Sequence, residues 1–111
     1  TKDFFRMSVE EVIFKETFGL LEDTLGPDTF KRFDGSRFQG KKLLSAFEMI
    51  STGVSFNLKA YKAPDGIEKL RERIKQMWSD PTFDKNSGAG VRGTTRLSNL
   101  LPYSKEFFKQ P

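Results

Sequence analysis

The sequence contains no cysteine and no histidine. Without Cys there is no disulfide framework and no thiolate to bind a metal or act as a nucleophile. Without His, the commonest metal ligand and the commonest general base are both missing. Zinc fingers, Ser-His triads and Cys nucleophiles are therefore excluded. No apolar run approaches the roughly 20 residues of a membrane span. The start, Thr1-Lys2-Asp3-Phe4-Phe5, lacks the apolar stretch of a secretory signal. Strand-length alternation of apolar and polar residues is absent, and so is any repeat at a solenoid period.

What is present is phenylalanine, with 12 copies in 111 residues. A Phe ring has no polar handle, so these rings are expected in a core or an interface. The length suits one domain with a single core. The net charge is +4 and the isoelectric point about 9.4, a mild basic bias that fits either an anionic partner or a merely solvated surface.

Periodicity predicts helices. Ser8 and Glu11 match a capping box, and Phe14, Phe18, Leu21 and Leu25 recur on one face, which predicts a helix over 8–25 closed by Gly26-Pro27. Pro27-Asp28-Thr29 starts a predicted short helix with Phe30 and Phe33 one turn apart, before the turn Asp34-Gly35-Ser36 and a basic loop over 37–42. Leu43, Leu44, Phe47, Ile50, Val54 and Leu58 predict a helix over 41–62, in which Gly53 permits another helix to approach closely. Ile67, Leu70, Ile74, Met77 and Trp78 predict a helix over 65–79, with Glu68–Arg71 and Glu72–Lys75 pairs on its outer face. Asp80 and Pro81 are the N-cap and first residue of a short helix that turns Phe83 inward. Residues 86–95 are predicted to be loop, and a last helix begins near Thr94 or Thr95 and is kinked or divided by Pro102. The expected fold is all-α, a compact bundle of about five helices with a Gly-rich loop before the last one. The single domain, 1–111, is expected to be a piece of the C-terminal part of a longer cytoplasmic protein.

Two stretches are candidates for chemistry. Gly88-Ala89-Gly90-Val91-Arg92-Gly93 fits a G-x-G-x-x-G pattern, but a dinucleotide fingerprint needs a strand before it and none is predicted. The same region offers an anion site instead. Arg92, Gly93, Thr94, Thr95 and Arg96 stand where a helix begins, and free backbone N–H groups there attract phosphate or carboxylate. The rival use of Arg96 is a salt bridge to an acidic helix face. The second stretch is the basic cluster Lys31, Arg32, Arg37, Lys41 and Lys42, interleaved with Phe30, Phe33 and Phe38. Charge plus rings is the pattern of single-strand binders, and its rival is a solvated loop whose rings belong to the core. Acidic pairs such as Glu10/Glu11 and Glu22/Asp23 lie on outer helix faces. No catalytic residue, metal ligand or cofactor is expected.

The order of several segments carries a resemblance. Leu25-Gly26-Pro27-Asp28-Thr29-Phe30-Lys31-Arg32 is followed by Leu44-Ser45-Ala46-Phe47-Glu48-Met49-Ile50-Ser51-Thr52-Gly53, then Trp78-Ser79-Asp80-Pro81-Thr82-Phe83, then Ser87-Gly88-Ala89-Gly90 and Thr95-Arg96-Leu97. In this order they resemble the C-terminal helical region of the GmrSD-type restriction endonuclease family, in proteins that carry a ParB-like domain with an Asp-Gly-Gln-Gln-Arg motif. That motif is absent here, and no catalytic residue carries over. The resemblance implies a non-catalytic accessory domain of a nucleic-acid-directed defence protein, packed on the ParB-like domain and contacting DNA or nucleotide phosphate. The alternative is a purely structural or protein-interaction module.

Overall fold

The computed structural model describes residues 9–87 and 92–109. The Ser8 cap and residues 88–91 of the glycine pattern lie outside the described residues. Six α-helices and one small hairpin make up the described chain, so the all-α expectation holds. In order they are α1 (Val9–Thr24), β1 (Lys31–Phe33), β2 (Phe38–Lys42), α2 (Leu44–Phe56), α3 (Leu58–Tyr61), α4 (Gly66–Met77), α5 (Pro81–Ser87) and α6 (Gly93–Phe107).

α1 ends as its sequence dictates. The Leu25 N–H closes the last turn on the Leu21 carbonyl, and Gly26 takes φ +55, the left-handed conformation that stops a helix. Its inward face is Thr17, Leu21 and Thr24, flanked by Phe18 and Leu25. The predicted stripe is only half right, because the N-terminal half of α1 runs beyond the core. Val9, Val12 and Phe14 are exposed.

The predicted helix over 27–33 is wrong. A single 3-10 turn, Gly26–Asp28, leads straight into β1. Spacing of Phe30 and Phe33 suits a helical turn, but the two rings take different partners. Phe30 packs on Phe18 and Phe47, while Phe33 packs on Phe38 across the hairpin.

The predicted helix over 41–62 is also corrected. It starts only at Leu44, since Lys41 and Lys42 belong to β2, and it breaks at Asn57. The Asn57 backbone leaves the helical region, and its side-chain amide donates to the Gly53 carbonyl of α2 and the Lys105 carbonyl of α6, each at 2.9 Å. A short amide that competes for backbone partners favours such a break.

α4 buries Leu70, Ile74 and Met77 as predicted. Glu72 pairs with Lys75 at 3.6 Å, but Arg71 turns away from Glu68 and donates to the Thr24 carbonyl at the end of α1. The orphan carbonyls of a helix end accept a guanidinium well. Asp80 caps α5 as expected, its Oδ2 accepting the Phe83 N–H at 3.0 Å. Its Oδ1 accepts the Tyr103 hydroxyl of α6 at 2.7 Å, and burial together with that carboxylate raises the Tyr103 phenol above its ordinary pKa. Asn86 and Ser87 complete α5 and Gly93 opens α6, so the predicted loop over 86–95 is too long. α6 is not divided at Pro102. Pro102 and Ser98 are both exposed, so the carbonyl left without its proline partner is on the wet side.

The core lies between α2, α4 and α6. Met49, Ile50, Val54, Leu70, Ile74, Met77 and Leu100 are fully buried there. Gly53 sits at the closest approach of α2 and α6. A Cβ at this position would strike the Phe108 ring and lie 2.7 Å from the Ser104 carbonyl oxygen. The close approach expected of Gly53 is what the structure has. Gly53→Ala should therefore destabilise by about 2 kcal/mol in denaturant unfolding, since overpacking outweighs the roughly 1 kcal/mol that Ala gains in a helix. Unchanged or increased stability would show that the crossing yields freely.

Candidate nucleic-acid interface

The hairpin is built by three local devices. Phe33 and Phe38 face each other across the strands with ring centroids 4.8 Å apart, a favourable cross-strand pair. At the tip, Asp34 Oδ1 accepts the Ser36 and Arg37 N–H groups at 2.8 and 2.9 Å, and Oδ2 accepts the Gln39 amide at 2.6 Å. Those backbone donors hold the Asp34 carboxyl below its ordinary pKa. Register then shifts, because Arg32 pairs with Gln39 while Lys31 pairs with Lys42. Gly40, at φ +86, absorbs the bulge that results. The hairpin is held against α4 by Arg32 over the Trp78 ring at 5.4 Å and by Lys75 over the Phe33 ring at 5.5 Å.

Charge is distributed unevenly. Residues 31–42 contain five Lys/Arg and one Asp, a net +4, which equals the net charge of the whole chain. The other 99 residues balance at 14 of each sign. Register also sets Lys31 opposite Lys42, and like charges directly opposite are unfavourable. Asp28 relieves Lys31 at 3.3 Å. Among the described residues, Arg37, Lys41 and Lys42 are exposed and make no salt bridge. The fold thus places three candidate residues, Arg37, Lys41 and Lys42, exposed on one hairpin.

The other cluster turns out differently. Arg92 is exposed in an extended conformation just before α6, with no side-chain cap, and Gly93, Thr94 and Thr95 are exposed on the first turn. Arg96 is not available to an anion. Its Nε lies 2.6 Å from Glu48 Oε1 and its Nη2 lies 3.2 Å from Glu48 Oε2. The side chains are only 17% and 14% exposed. The Glu48 hydrogen bonds raise the Arg96 pKa further above its already high value. Of the two uses open to Arg96, the salt bridge to a helix face is the one adopted, and its partner is on α2. Periodicity gives Glu48 no role, since one acidic residue on a long amphipathic helix reads as solvated surface; only the resemblance singles it out, as a recurring Glu that a structural bond explains equally well. Phe14 and Phe47, both exposed, were assigned inward by their spacing. Among the described residues, no group of three acidic side chains is placed to hold a metal.

A two-point pair that is mostly withdrawn from water is costly to break, because the survivor stays buried and unpaired. Arg96→Ala should cost about 2 kcal/mol of stability in chemical unfolding, whereas Arg92→Ala should change it by less than about 0.5 kcal/mol. Equal effects of the two would remove the structural role given to Arg96. No family model matches the chain, and no curated protein or solved structure matches it.

Proposed function

We propose that the protein is a non-catalytic accessory domain that grips nucleic acid by its phosphates through the β1–β2 hairpin, within a GmrSD-like, nucleic-acid-directed defence protein. One observation carries the reading: the entire net positive charge resides in a 12-residue ribbon whose Arg37, Lys41 and Lys42 form no salt bridge among the described residues. Phosphate contacts need mobile, accessible cations of this kind and no base-specific geometry. Two-stranded ribbons are among the elements that enter nucleic-acid grooves. The setting rests on the resemblance of segment order to the restriction family, which implies a ParB-like domain as the neighbour on which this one packs.

A second reading, a protein-interaction module, is favoured by exposed Val9, Leu44 and Phe56. Such apolar exposure suits contact with another protein surface.

Salt dependence separates the two. Binding of DNA should weaken steeply between about 50 and 200 mM salt, as counterion release requires. Replacing Arg37, Lys41 and Lys42 together by Gln should reduce the slope of log affinity against log salt by about 2 to 3. Absence of binding near 50 mM salt, or an unchanged slope in the triple variant, would leave the protein-interaction reading in its place.

A further inference from the structure

Beside the hairpin lies a series of four phenylalanine rings. Phe14 and Phe18 are 4.5 Å apart between centroids, Phe18 and Phe47 are 5.8 Å apart and stacked, and Phe30 meets Phe47 edge-on at 5.3 Å. The inner members, Phe18 and Phe30, pack against the core. The outer members do not finish inside, since Phe14 is 60% exposed and Phe47 is 40% exposed.

Between α1 and α2, Phe14, Phe18 and Phe47 line an open recess of about 380 Å³. Half-buried Ser51, Thr52 and Ser55 continue the α2 side beyond Phe47, and Glu10 of α1 also lines the hollow. Phe18 also lines a second recess of about 360 Å³, together with Phe30, Glu22 and Lys42. Phe18 is thus shared between a ring-lined hollow and a hollow edged by one of the hairpin's unpaired lysines. The Leu43 N–H donates to the Phe30 carbonyl at 3.0 Å, which fixes the end of β2 beside the ring series.

We infer that the recess is a base-stacking site, and that the nucleic acid held by the hairpin is single-stranded. This inference rests on the phosphate-gripping role of the hairpin. Cations that follow a backbone, next to exposed rings that accept a flat base, are the two parts of a single-strand site. A duplex keeps its base faces inside the stack and offers nothing to Phe14 or Phe47. An unpaired strand whose phosphates lie along Lys41 and Lys42 can turn a base over the Phe47 ring and against Phe14. The Ser51 and Ser55 hydroxyls donate to the Phe47 and Ser51 carbonyls, which leaves their oxygens to accept from the polar edge of that base. The carboxylates of Glu10 and Glu22 disfavour phosphate in the hollows themselves, so the backbone stays on the hairpin and the base enters.

The test is fluorescence anisotropy of the full 111-residue chain with two labelled probes: oligothymidylate of about 15 nucleotides and a duplex of the same length. The single strand should bind about tenfold more tightly. Phe14→Leu combined with Phe47→Leu keeps apolar bulk for the fold but removes the ring faces. It should weaken single-strand binding about tenfold and leave duplex binding unchanged. Lys41→Gln with Lys42→Gln should weaken both probes. Equal affinity for the two probes, or undiminished single-strand binding by the leucine variant, would overturn the stacking site and leave the phosphate grip standing. Failure to bind either probe at low salt would overturn the phosphate grip and this inference with it.

Discussion

The contact between α2 and α6 at Gly53 is the constraint on which the rest depends. A residue without a Cβ lets the Ser104 backbone and the Phe108 ring close onto α2. Contacts advance together along both helices, from Glu48–Arg96 through Gly53–Ser104 to Asn57–Lys105, so the two run in the same sense. Beyond the seam, the Tyr61 hydroxyl donates to the Phe108 carbonyl and ties α3 to the same end. Parallel neighbours cannot be joined by a short turn. The intervening α3, α4 and α5 form the return path, along which α4 buries Leu70, Ile74 and Met77.

That seam also divides the charges by role. Arg96 is drawn into it and holds α6 on α2 through a two-point bond with Glu48. The hairpin is fastened mainly by aromatic and cation–π contacts, with one carboxylate, Asp28, on Lys31. Among the described residues, Lys41 and Lys42 make no salt bridge. A surface ribbon with opposed lysines gains nothing for stability from that arrangement. A polyanion would turn the same repulsion into attraction.

Much of this fold was legible in the sequence, for physical reasons that differ by element. α4 has a 3.6-residue apolar period that survives packing, although Arg71 of its charged face is drawn to the end of α1. α5 is announced by Asp80-Pro81, whose capping chemistry is entirely local. The Gly53 approach was legible because glycine is unfavourable in a helix unless something needs the space. The hairpin was not legible. A strand of three residues is too short to display alternation, and the bulge between Lys31 and Arg32 breaks the register that would otherwise reveal the pair. The break at Asn57 depends on a carbonyl 48 residues away, which no local pattern encodes. For the candidate site, the basic residues were found but not sorted. Only packing decides that Arg96 meets Glu48 while Arg37, Lys41 and Lys42 meet none.

Amide chemical shifts recorded during titration with a short oligonucleotide address this division of charge most directly. The account predicts that the changes gather on residues 31–42 and around Phe14, Phe18 and Phe47, with the first turn of α6 unmoved and the Arg96–Glu48 bond intact. Shifts concentrated on residues 92–96, with the Arg96 guanidinium leaving Glu48 for the ligand, would contradict it.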